Sequence, residues 1–84
     1  MKSRKDKKYS REHLIKRMYE RYKKKISDHD YNKLCKIIEK IEIDPISVEN
    51  QKDDIQKVYR IFYYTEYIKV VWSDKRKCLT TVLP

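Results

Sequence analysis

The apolar residues of this 84-residue chain change their period once, and that change restricts the fold more than any other feature. Leu14, Ile15, Met18, Tyr19 and Tyr22 recur at helical spacing, and so do Tyr31, Leu34, Cys35, Ile38 and Ile41. From residue 56 onward apolar and polar positions alternate. Val58–Tyr64, Tyr67–Trp72 and Cys78–Leu83 are rich in the β-branched and aromatic residues that suit a half-buried sheet. Helices first and strands second predict an α+β domain, two N-terminal helices packed on a three-stranded antiparallel meander. The spacing places helix one at 11–25 with Ser10 as N-cap, and helix two at 29–42 with Ser27 or Asp28 as cap. Asp44-Pro45 closes the second helix, because the residue before proline is pushed out of helical φ/ψ. The polar stretch 44–54 reads as a surface loop with room for a short strand near Ile46–Val48, and Ser73–Arg76 as a four-residue turn. Leu14, Met18, Leu34, Ile38, Ile61, Val70 and Val82 are expected in one core.

Glycine is absent altogether. Gly-rich phosphate loops need backbone without a Cβ at positive φ, so the composition argues against the common nucleotide-cofactor classes and no cofactor is expected. The same absence argues against tight two-residue hairpin loops, which favour Asn-Gly or Asp-Gly. Cys35 and Cys78 fall on apolar faces and read as buried free thiols. His13 and His29 lie far from them, with no CxxC or HxxxH spacing, so no metal site is expected. Asp28, Asp30, Asp53 and Asp54 read as cap and loop residues rather than cation ligands. No apolar run reaches the length of a membrane span and no signal-peptide core follows the basic start, which predicts a cytoplasmic protein with no membrane role.

Charge is segregated. Residues 1–25 hold twelve Lys/Arg against three Asp/Glu and so carry the whole net charge of +9, while residues 26–84 hold ten of each. A neutral body with one cationic end is suited to an anionic partner. Residues 1–9 read as a flexible basic arm, with Lys2, Arg4, Lys5, Lys7 and Lys8 available to phosphates, and 10–84 as a single domain. The partner is read as nucleic acid, RNA before DNA. An acidic protein surface is the other candidate.

His13, Arg17 and Arg21 follow one another at one helical turn, and the chain ends on Tyr67–Trp72 (YIKVVW) and Leu79–Pro84 (LTTVLP). In these residues, and in the order of its elements, the chain resembles the barnase/RelE-like superfamily of small metal-independent ribonucleases, in particular BrnT-type toxins and related phage and plasmid domains. The resemblance implies a toxin-like or phage-encoded endoribonuclease of a bacterial cytoplasm, with an antitoxin as a protein partner. It also implies His and Arg early in helix one beside a polar residue on a late strand.

Chemistry assigns the roles. A helix start and neighbouring cations disfavour imidazolium, leaving His13 neutral and able to take a 2′-OH proton. Arg17 and Arg21 can grip a phosphate through paired N–H donors, and Arg60, alternating with apolar strand residues, either lines the cleft or faces solvent. Arg11, Lys16 and Lys24 flank the stripe as further phosphate contacts. Tyr63, or its neighbour Tyr64, is the candidate for base stacking, whereas Tyr19, Tyr22 and Tyr31 fall on helical apolar faces. Thr80 and Thr81 are expected on opposite sheet faces, so that only one could join a site. The alternatives to an enzyme are a non-catalytic nucleic-acid-binding protein and an inhibitor that docks its basic end on an acidic host or defence protein.

Overall fold

A computed structural model describes the backbone of residues 2–84 and the side chains from Tyr9 onward. Its elements are α1 (Lys2–Tyr22), α2 (Asp28–Lys40), β1 (Ser47–Gln51), β2 (Asp54–Tyr63), β3 (Glu66–Ser73) and β4 (Cys78–Leu83). The strands form one antiparallel sheet in the order β1-β2-β3-β4. The α+β class is as expected, but the sheet has four strands, not three.

The additional strand comes from the polar stretch. β1 pairs with the first half of β2, from Ser47 opposite Val58 to Gln51 opposite Asp54, and all five of its residues are exposed. With no layer over either face, β1 has no apolar alternation to show in its sequence. β2 accordingly begins at Asp54, four residues before the alternation becomes apolar.

Two hairpins close with two-residue loops despite the lack of glycine. Lys52-Asp53 joins β1 to β2, and Tyr64-Thr65 joins β2 to β3. Tyr64 adopts φ 57, so the second loop has positive φ at its first central residue, as a type II′ turn does. Lys77, at φ 56, ends the Asp74–Lys77 turn before β4 and donates its N–H to the Ser73 carbonyl at 2.8 Å. Lysine and tyrosine thus occupy left-handed positions that glycine would hold without a Cβ penalty.

α1 starts upstream of Ser10 and ends at Tyr22 rather than residue 25. Its first half is dominated by Lys, Arg, Asp and Glu with no proline, and straight-chain residues propagate a helix readily. Ser10 is therefore not a cap. It is fully buried inside the helix, where its small side chain lets the β3–β4 turn approach, and its hydroxyl takes a 3.4 Å contact from Arg76 Nη1. Lys23 ends α1 at φ 56, donating to the Tyr19 carbonyl at 3.0 Å in a left-handed cap. The side chains of the basic arm, residues 1–8, lie outside the described residues.

α2 begins with a full capping box. Asp30 N–H donates to Ser27 Oγ at 3.2 Å and Ser27 N–H to Asp30 Oδ2 at 3.1 Å. The hydrogen bond from the Ser27 backbone outweighs a slight desolvation and holds the Asp30 carboxyl below the ordinary value. The helix ends at Lys40, with Ile41 as C-cap, four residues short of Pro45.

The core lies between the helices and one face of the sheet. Leu14 and Met18 of α1 and Tyr31, Leu34 and Ile38 of α2 meet Tyr59, Ile68, Val70, Trp72, Cys78, Leu79 and Val82. Six of the seven expected core residues are buried, and Ile61 is half-buried against them. Tyr31 donates its hydroxyl to the Leu79 carbonyl, and burial pushes its phenol far above the ordinary value. Cys35 and Cys78 are not joined in a disulfide; Cys78 is buried as expected, whereas Cys35 is half-buried and accepts from Leu79 N–H at 3.4 Å. α1 packs along β4, a free sheet edge that would otherwise expose unpaired carbonyls. Arg21 Nη1 donates to the Val82 carbonyl and Tyr22 Oη to the Leu83 carbonyl. Among the described residues, no helix is long and apolar enough to cross a membrane.

Candidate nucleic-acid interface

Both helices cover the face that carries Tyr59, Ile61, Ile68 and Val70. The opposite side of the sheet carries Gln56, Val58, Arg60 and Phe62 of β2, Tyr67, Lys69 and the buried Val71 and Ser73 of β3, and Thr81 of β4. At one end of that face, Tyr9, Ser10 and His13 of α1 meet Gln56, Arg76, Thr80 and Thr81 around a groove of 260 Å³.

A β-bulge makes this groove. Val71 pairs with Thr81 and Trp72 with Leu79, which leaves Thr80 as the extra residue. The alternation that would send two consecutive threonines to opposite faces is broken there, so Thr80 and Thr81 both line the groove, contrary to the expectation from sequence. Thr80 Oγ1 donates to the Val71 carbonyl at 3.4 Å.

His13 stands on the helical wall of the groove, its ring stacked near that of Tyr9 at 6.1 Å and 13°. Partial burial, then the charges of Arg17, Arg21 and Lys16, lower its pKa below the usual 6.5, outweighing Glu20. The neutral imidazole expected from the sequence therefore has a physical basis, although His13 now sits in the helix interior and its neighbours, not a helix start, supply the field. Arg76 is the groove's guanidinium, carried there by the β3–β4 turn. That turn is held by Asp54, which accepts from Ser73 Oγ at 2.6 Å and from Lys75 N–H at 2.9 Å. Burial opposes ionisation of Asp54, but these hydrogen bonds prevail and its carboxyl titrates below the ordinary value.

The other cations divide into engaged and open groups. Arg17 follows His13 by one turn, lies outside the groove lining, and is paired with Glu20 at 2.6 Å. Arg21 is engaged by the Val82 carbonyl. Arg11 Nε lies 3.5 Å from Asp28 and links α1 to the start of α2. Lys24, only 16% exposed, pairs with Glu66 at 3.3 Å. Lys16 is exposed and takes part in no ion pair among the described residues. Arg11 and Lys24, expected as phosphate contacts, are thus each engaged in an ion pair within the fold. The side chains of Lys2, Arg4, Lys5, Lys7 and Lys8 lie outside the described residues.

Arg60 does not join His13. It projects from the open sheet face with its guanidinium 4.8 Å from the Tyr67 ring centroid. Tyr63, the expected stacking residue, lies on the opposite side of the sheet from Arg60. It packs half-buried against the core, 4.5 Å from the Tyr64 ring, and desolvation pushes its phenol up to about 12. Tyr19, expected on the packed face of helix one, is exposed beneath Lys23. The exposed aromatics on the open face are Phe62 and Tyr67, in edge-to-face contact at 5.1 Å and 73°.

A larger cleft of 580 Å³ lies at α2, between Ile38, Ile41, Tyr59 and Trp72. Within it Lys57 pairs with Asp74 at 3.3 Å, and Trp72 Nε1 donates to Asp74 at 3.1 Å. No cluster of three or more His, Cys, Asp or Glu suited to a metal occurs among the described residues. Comparison with protein-family models, with curated proteins and with solved structures finds no match.

Proposed function

We propose that this protein binds RNA and cleaves it at the His13 groove without a metal ion, as the resemblance to the barnase/RelE-like ribonucleases implies. The observation that carries this reading is His13 lining one groove together with a guanidinium, Arg76, in surroundings that lower the imidazole's pKa. A neutral ring nitrogen of His13 takes the proton of the ribose 2′-OH. The 2′-oxygen forms its bond to phosphorus, and the bond to the 5′-oxygen breaks. The leaving oxygen regains a proton from the imidazolium or from water, giving a 2′,3′-cyclic phosphate and a 5′-hydroxyl. Arg76 is placed to hold the phosphoryl oxygens as charge develops on them. Partial burial, with Arg17, Arg21 and Lys16 acting at longer range, favours the base form of His13.

Non-catalytic binding is the second reading, favoured by the engagement of Arg17 and Arg21 within the fold. RNA incubated with wild type, His13→Ala and Arg76→Ala in a chelator separates the two. Chelator-resistant cleavage that both substitutions slow supports an enzyme, and binding without cleavage supports the second reading.

A further inference from the structure

The half of the open face beyond the groove carries a feature that the cleavage chemistry does not use. Phe62 and Tyr67 are cross-strand partners beside the β2–β3 turn, and Arg60 and Lys69 are partners two residues further along. Phe62 is 61% exposed and Tyr67 58%, although aromatic rings usually contribute their area to a core. Like charges directly opposite each other destabilise a strand pair. Neither Arg60 nor Lys69 has a carboxylate partner among the described ion pairs. The acids of this face, Glu49 and Asp54, stand near its other end, beside Gln56 and Ser73. Two exposed rings and two cations without a carboxylate partner on neighbouring strands match a single strand of nucleic acid, which offers an unpaired base to stack and a phosphate beside it.

We infer that Phe62, Tyr67 and Arg60 form a stacking platform for an unpaired base, with Lys69 on the adjoining phosphate, a proposal that rests on the RNA reading above. The Arg60 guanidinium already stands over Tyr67, so the cation is ordered before the ligand arrives. The T-shaped pair with Phe62 holds the second ring in place. Val71, opposite Thr81 at the groove, is four residues along β3 from Tyr67, a separation of about 13 Å. One extended strand therefore reaches both places. A duplex keeps its bases stacked inside and cannot use the platform, so the protein selects unpaired RNA.

The test uses the full chain and a short 2′-O-methyl oligonucleotide, which cannot be cut through its own 2′-oxygen, carrying 2-aminopurine. Wild type, Tyr67→Leu, Phe62→Leu and Tyr67→Phe are compared on the single strand and on the same sequence as a duplex, each variant first shown to melt cooperatively. Wild type is expected to bind the single strand more tightly and to quench the 2-aminopurine. Each Leu variant should lose roughly 5- to 100-fold in single-strand affinity and lose the quenching, with duplex binding unchanged. Tyr67→Phe keeps a ring and should behave as wild type. Equal single-strand binding by wild type and the Leu variants overturns the platform and leaves the RNA reading standing. Wild type that binds neither form, but binds an acidic polypeptide, overturns both.

Discussion

His13 has two consequences that can be measured separately. Its lowered pKa predicts a cleavage rate that climbs with pH below 6.5 and is level at neutrality, where the base form dominates. His13→Ala should slow cleavage roughly 10²–10⁴-fold while changing RNA affinity little, read as single-turnover rate against Kd. For stability the sign follows from proton uptake. Above 6.5 neither state protonates His13, and as pH falls below 6.5 the unfolded chain binds the proton first, so folding weakens. Asp54 acts in the same direction at lower pH: its contribution is present above the ordinary carboxylate range and is lost as pH falls through its depressed folded pKa. Asp54→Ala leaves the fully buried Ser73 hydroxyl without its acceptor and should cost about 1–3 kcal/mol in urea denaturation. It should also loosen the turn that carries Arg76 into the groove.

Turns and helix ends show where the chain departs from common local preferences. Lys77→Gly keeps the N–H that bonds Ser73 and removes the Cβ from a left-handed position. A gain of about 0.5–1 kcal/mol is expected, measured as a raised Tm. A loss would mean that the Lys77 side chain contributes more than its backbone strain costs. The basic arm can be tested without reference to its side-chain positions. Deleting residues 2–8 removes five cations and one acid. If the arm meets phosphates, the slope of log K against log salt on single-stranded RNA should flatten by about 3 units. An unchanged slope would place the polyanion contact elsewhere. Both helices were legible because their apolar stripes are needed by the core, and α2 announced its start through Ser27 and Asp30. Ser10 misled because a serine before an apolar run is the same signal whether it caps a helix or fills a narrow gap inside one. β1 was faint in the sequence because all of its residues are exposed.

The whole molecule is a two-layer domain with one sheet face closed by helices and the other left open, and that division organises the candidate site. His13 was found from sequence because its neighbours at one helical turn are cations, a local relation. Arg76, Gln56 and Tyr9 were missed because the β3–β4 turn brings distant residues together, and no local pattern encodes that closure. The bulge at Thr80 was missed although LTTVLP breaks strict alternation, with two threonines side by side between Leu79 and Val82. Phe62 and Tyr67 could have been found. A two-residue turn at Tyr64-Thr65 pairs them across the strands and sets Arg60 opposite Lys69, but the missing glycine argued against such a turn. The central claim is that this fold brings a neutral imidazole to RNA and cuts it with no metal ion. The most direct measurement is single-stranded RNA incubated in excess EDTA with wild type and with His13→Ala, the products resolved by length and end group. The account predicts cleavage by wild type that leaves 2′,3′-cyclic phosphate ends, slowed at least about a hundredfold in the variant. RNA left uncut by wild type, or cut equally by both proteins, would contradict it.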